Sequence, residues 1–142
     1  MSNELHSKNI SNNPEIYNEY LNTLNQMEEL ENTMADNCPT NLFTIKGVAR
    51  PKTNNLLSFI FDFKEDTNLF ILTDNGLNFK DIKIDKETKD HINDYLQGSQ
   101  VCINYENNVV YLKLGTLEEK FNLHFLCKQF IDCLTYINNL LK

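Results

Sequence analysis

The 142-residue sequence predicts an α+β fold. Its expected order is helix, three strands, helix, two strands, helix, with the helices packed on an antiparallel sheet of about five strands. Three observations lead there. Apolar residues recur at three- and four-residue spacing near both ends of the chain, the period of an amphipathic helix. Between them lie short runs of Phe, Ile, Leu and Val, punctuated by Asn, Asp and Gly, the pattern of strands and tight turns. Hydrophobic residues make up 41% of the chain, including 9 Phe and 6 Tyr, which is enough to bury one core without disulfides. The length suits a single domain over residues 14–142, and the polar residues 1–13 are expected to form a flexible tail.

The first helix is expected to open at Asn13-Pro14-Glu15, where Asn is a capping residue and Pro suits the first helical position. Ile16, Tyr17, Tyr20, Leu21, Leu24, Met27, Leu30 and Met34 carry its apolar stripe to about Ala35. Asn37-Cys38-Pro39 breaks it. Three strands are then expected, at about Leu42–Ala49, Leu56–Phe63 and Leu69–Thr73, forming a meander. In the second, Leu57, Phe59, Phe61 and Phe63 fall on one face. Asn75-Gly76 is a turn pair, because both residues tolerate positive φ. Residues 77–84 fit either a short helix or a strand.

A second helix is expected over about Lys86–Gln97, capped by Asp85 and ended by Gly98 in the left-handed region. A hairpin follows: Val101–Tyr105, a turn at Asn107-Asn108, and Val109–Leu114. Thr116 and Glu119 have capping-box spacing, placing the start of the last helix there. That helix holds more apolar residues than one face accommodates, so it is either central in the fold or covered by a partner.

Composition argues against several function classes. The formal charge is −7, from 20 acidic and 13 basic residues, and Arg50 is the only arginine. Nucleic-acid affinity comes from cations that neutralise phosphates, so direct nucleic-acid binding is not expected. No leader-like opening and no apolar run of about 18 residues is present, so a cytoplasmic location, no membrane association and reduced thiols are expected. Cys38, Cys102, Cys127 and Cys133 are read as packing residues. With 22 Asn, 12 Lys and 11 Ile, the composition resembles translation of AT-rich DNA.

Motifs for chemistry are thin. The four glycines, Gly47, Gly76, Gly98 and Gly115, fit neither a phosphate-binding loop nor a dinucleotide fingerprint, so no cofactor is expected. His124 and Cys127 have a spacing that could share a metal, but no second ligand pair accompanies them. Glu87-Thr88-Lys89 and Glu118-Glu119-Lys120, with Asp74 upstream, match the short pattern of metal-dependent nucleases. That chemistry needs the pattern on a strand beside the Asp, and both copies fall where helices are expected to begin. No catalytic or metal residues are therefore assigned, and the chain is not expected to be an enzyme.

Two surfaces remain as candidates. Glu19, Glu28, Glu29 and Glu31 would share the outer face of the first helix, either as a partner-binding surface or as a solvated face. Phe125, Cys133, Tyr136 and Leu140 on the last helix would form an oligomer interface, making the chain a homodimer.

The stretch Leu69-Phe-Ile-Leu-Thr-Asp-Asn-Gly76 resembles the LTDDG turn signature of a small bacterial and phage domain family of unknown function. Val48-Ala49-Arg50-Pro51 and the aromatic run to Phe63 resemble its opening, so the similarity spans about residues 42–141. Asn75 stands where that family usually has Asp. The resemblance implies a mobile-element setting but no activity. By element order and charge the chain also resembles type III secretion chaperones, which are dimers that bind extended client segments. The expected function is a non-enzymatic protein-binding module, encoded by a phage or mobile element of a low-GC bacterium. It would inhibit a host defence protein in the manner of an anti-CRISPR factor. A dimeric chaperone-like protein and a metal-dependent nuclease are the alternatives.

Overall fold

The alternating run Leu57, Phe59, Phe61, Phe63 sits at the centre of the fold, with all four side chains buried. The computed structural model describes residues 14–142, so the expected tail over 1–13 and the Asn13 cap lie outside the described residues. In chain order the elements are α1 (Pro14–Asn25), β1 (Leu30–Ala35), β2 (Cys38–Ala49), β3 (Leu56–Lys64), β4 (Leu69–Thr73), α2 (Lys86–Leu96), β5 (Cys102–Asn104), β6 (Val109–Thr116) and α3 (Leu123–Leu141). The α+β class is as expected. The sheet, however, has six strands rather than five, in the order β1-β2-β3-β4-β6-β5, with every pair antiparallel.

The additional strand comes from the second half of the expected first helix. That helix stops at Asn25, and Leu30–Ala35 is β1. Asp36 and Asn37 both have positive φ, 53° and 65°. Two such residues in a row make the hairpin turn whose twist matches that of the strands it joins. The chain folds back at once, pairing Ala35 with Cys38 and Met34 with Pro39. The Asn32 amide reinforces the hairpin by donating to the carbonyls of Thr40 and Leu42, both at 2.9 Å. Leu24, Met27 and Leu30 are buried as their helical spacing suggested, but they serve a helix end, a turn and a strand start.

Other boundaries move for local reasons. Asp85 caps α2 as expected, accepting from the Thr88 N–H at 2.8 Å. Gly98 is not left-handed; the helix is closed instead by Ser99, whose backbone N–H and hydroxyl both donate to the Leu96 carbonyl. Thr116 and Glu119 do meet, the Thr116 N–H donating to Oε1 of Glu119 at 2.6 Å, but Thr116 belongs to β6. Phe121 is stacked on Tyr20 of α1 at 4.8 Å, which carries the chain across the sheet before α3 begins at the Asn122 cap. Residues 77–84 are neither helix nor strand: turns run to residue 81 and an irregular segment follows over 82–84.

α3 is central. It buries Leu123, Leu126, Cys127, Phe130, Ile131, Cys133, Leu134, Ile137 and Asn138, and packs against α1, α2 and β6. Its Phe130 meets Phe59 edge-on at 5.4 Å. Beside it, Tyr17 of α1 stacks on Phe61, and Tyr20 meets both Phe61 and Phe70 edge-on. The helical layer therefore lies on the sheet face that carries Phe43, Phe59, Phe61, Phe70 and Leu112.

Candidate functional site

Strand alternation assigns the other face of the sheet. Its central row runs across five strands through the register partners Leu42, Ile60, Thr73, Tyr111 and Cys102. One step along the strands lies a second row, Asp62, Ile71 and Lys113. Leu42, Ile60, Ile71 and Tyr111 are each half-buried by their neighbours. An antiparallel sheet with one solvated face normally reads polar on that side. Here the middle of the face is aliphatic and aromatic, and no helix among the described residues is packed on it. Asp62, Lys64 and Lys113 give it a charged border, Asp62 and Lys64 lying 3.6 Å apart.

At one end of this face the Leu69–Gly76 motif builds a buried polar network. β4 stops at Thr73, and the chain turns through Asn75 and Gly76, both with positive φ. Asp74 is fully buried. Its Oδ1 accepts from the N–H groups of Gly76 at 3.1 Å and Val110 at 2.9 Å, and its Oδ2 from Nδ2 of Asn78 at 3.2 Å. Burial pushes the Asp74 carboxyl above the usual range, and these donors oppose the shift. The Asn78 amide also satisfies both backbone groups of Ser58, accepting from its N–H at 3.0 Å and donating to its carbonyl at 2.8 Å. Ser58 in turn accepts at its hydroxyl from Nη2 of Arg50, whose Nε donates to the Leu56 carbonyl. The only arginine thus staples the β2–β3 connection, and the Asp-Asn-Gly turn seals the sheet where β4 ends.

No family model, no curated protein and no solved structure matches this chain. Function is read from its surface.

The acidic residues do not share a helix face. Glu19 is on α1, Glu28 and Glu29 lie in the α1–β1 connection, and Glu31 is on β1. Glu29 forms an ion pair with Lys128 of α3, and that contact holds the Glu29 carboxyl below its ordinary range. Of the expected interface residues, Phe125 is 59% exposed and Leu140 lies at the surface, while Tyr136 stacks on Tyr95 of α2 at 3.8 Å. Cys133 is only 2% exposed, with its thiol near the Ser99 hydroxyl, so it cannot contribute to an interface. The reading of all four cysteines as packing residues holds for Cys127 and Cys133; Cys38 and Cys102 are exposed, and all four are free thiols.

For the nuclease pattern, Glu87 and Lys89 are on α2 and residues 118–120 lie in the irregular connection after β6, not on strands beside Asp74. Both Asp74 oxygens are already taken by protein donors. Burial pushes the Cys127 thiol up to about 12, which disfavours the thiolate needed for metal binding or attack. Sequence reading missed the open sheet face because it requires knowing which strand neighbours which. The usable signal was the run of apolar residues on both parities of β3 and β4, in Leu-Leu-Ser-Phe-Ile-Phe and Leu-Phe-Ile-Leu.

Proposed function

We propose that this chain is a non-enzymatic protein-binding module whose contact surface is the open face of the sheet. The observation that supports it is the apolar centre formed by Leu42, Ile60, Ile71 and Tyr111 on a face that antiparallel sheets ordinarily make polar. Apolar centres with charged borders are the anatomy of protein contact surfaces. The setting we infer is a small phage or mobile-element factor that inhibits a host defence protein. The Asn-, Lys- and Ile-rich composition and the charge of −7 support that setting. The chaperone analogy loses its footing, since it was drawn from an element order with three strands after the first helix, where four are found.

The test is site-selective. A photo-crosslinking amino acid is placed at Tyr111, on the open face, or at Glu87, on α2, and the full chain is irradiated in expressing cells. Protein adducts at Tyr111 but not at Glu87 are expected. Equal capture at the two positions, or none at Tyr111, would sink the proposal.

A further inference from the structure

Of the three charges bordering the open face, Asp62 and Lys113 lie on opposite sides of β4, while Lys64 shares the β3 side with Asp62. Asp62, Ile71 and Lys113 are neighbours on β3, β4 and β6, so an acid and a base flank an aliphatic residue on opposite sides. The adjacent row has the same centre: Ile60 and Tyr111 flank Thr73, and Leu42 and Cys102 lie outside them. A two-fold axis that runs along β4 and lies between two facing sheets exchanges the β3 side of one copy with the β6 side of the other. Under that operation Asp62 of each copy faces Lys113 of the other, Ile71 faces Ile71, and Ile60 faces Tyr111. An axis perpendicular to the strands would instead set Asp62 on Asp62 and Lys113 on Lys113. Either axis keeps the mean strand lines close, as aligned sheet-on-sheet packing requires, so the placement of Asp62 and Lys113 is what distinguishes them and favours the axis along β4.

We propose that the partner of this face is a second copy of the chain, packed sheet to sheet about that axis as a two-fold β-sandwich. This rests on the reading of the open face as a protein contact surface. The two-fold contact is isologous, each copy offering the same patch. The central row spans five strands, and the Asp62 row and the next one, Lys64, Leu69 and Thr116, span three each; at about 4.8 Å between strands and about 6.8 Å between rows they give a footprint of about 360 Å² per copy. The total, about 720 Å², is below the range of stable specific interfaces, so the dimer is weak and forms and dissociates with concentration rather than being obligate. Forming it draws Lys113 of the second copy to Asp62, which in the single chain is paired with Lys64.

Sedimentation velocity of the purified full chain, from low to high micromolar concentration, tests this on five proteins. These are the wild type, Asp62→Lys, Lys113→Asp, the double exchange, and Ile71→Lys. All the altered positions are outside the core, and urea midpoints check that each variant is folded. The wild type should dimerise. Each single reversal places two like-charge contacts in the dimer and should weaken it at least tenfold. The double exchange should return to within about threefold of wild type, since it restores both pairs. Ile71→Lys should be monomeric throughout. A dimer indifferent to all four variants overturns the proposal and moves self-association elsewhere, with the Phe125, Tyr136 and Leu140 surface next to be tested. A monomeric wild type also overturns it; crosslinking from Tyr111 to a different protein would then preserve the broader reading of the face, and absence of any such adduct would end both.

Discussion

Replacing Asn78 by Asp is nearly isosteric and tests the network that closes the sheet. The two side chains differ by one group: Nδ2, which donates to the Ser58 carbonyl at 2.8 Å and to Oδ2 of Asp74 at 3.2 Å, becomes an oxygen. The bond from the Ser58 N–H survives. Two donor contacts are lost in a site where Asp74 is fully buried and Asn78 is 8% exposed. Leaving the Ser58 carbonyl unsatisfied costs about 1–3 kcal/mol. Two carboxyls at about 3 Å cannot both ionise, so one must hold a proton at neutral pH, at about 1.4 kcal/mol for each unit by which its pKa is raised. Together these predict a loss of about 3–5 kcal/mol at neutral pH. With a urea slope of about 1–3 kcal/mol per molar, the midpoint should fall by about 2 M.

The pH dependence of this variant carries the sharper test. A carboxyl pair whose folded pKa is raised contributes stability that is present at low pH and lost as pH rises through that folded pKa. Asn78→Asp should therefore lie closest to wild type at mildly acidic pH, where the added proton can donate across the pair, and deteriorate towards neutrality. Asp74, already raised by burial in the wild type, acts in the same direction. Urea titrations followed by far-UV circular dichroism at several pH values supply the measurement. A variant within about 0.5 kcal/mol of wild type at neutral pH, or a deficit that deepens as pH falls, would refute the account of Asn78 as a surrogate strand partner for Ser58.

Two further outcomes are expected. Gly115→Ala should cost about 1–3 kcal/mol by thermal or urea unfolding, because its added methyl would meet a Phe121 ring carbon at 2.8 Å and the Glu119 carboxylate at 3.2 Å; an unchanged midpoint would show that Phe121 is not held against β6. A thiol reagent should modify two cysteines quickly in the native chain and all four in denaturant, with Cys38 and Cys102 identified by mass spectrometry as the fast pair. Cys127 should stay protected into alkaline solution, where its raised pKa also means that its contribution to stability is kept below about pH 9 and lost as pH climbs towards about 12.

Much of the fold was legible in the residue order. β4 was delimited at Leu69–Thr73 by the charged stretch Lys64-Glu65-Asp66-Thr67-Asn68 on one side and Asp-Asn-Gly on the other, and β3 by its alternating aromatics. α2 was legible from the Asp85 cap, a purely local device. What misled was also local. Leu24, Met27, Leu30 and Met34 keep a helical period past the point where the helix ends, because burial of the first three is required whichever backbone carries them. Thr116 and Glu119 form their reciprocal contact without a helix, because the preceding residue is held in β6 and Phe121 is drawn to Tyr20.

The α+β class, the apolar faces and the turn chemistry at residues 74–76 follow from periodicity and from backbone preferences over a few residues, and so are readable without the fold. Packing in three dimensions sets how the apolar excess of α3 is consumed between α1, α2 and the sheet, leaving Cys133 inside and Phe125 at the surface. It also decided that the acidic residues are divided among a helix, a connection and a strand. And it alone put Asp62, Ile71 and Lys113 side by side, since strand register joins residues that are far apart along the chain and that no local pattern relates.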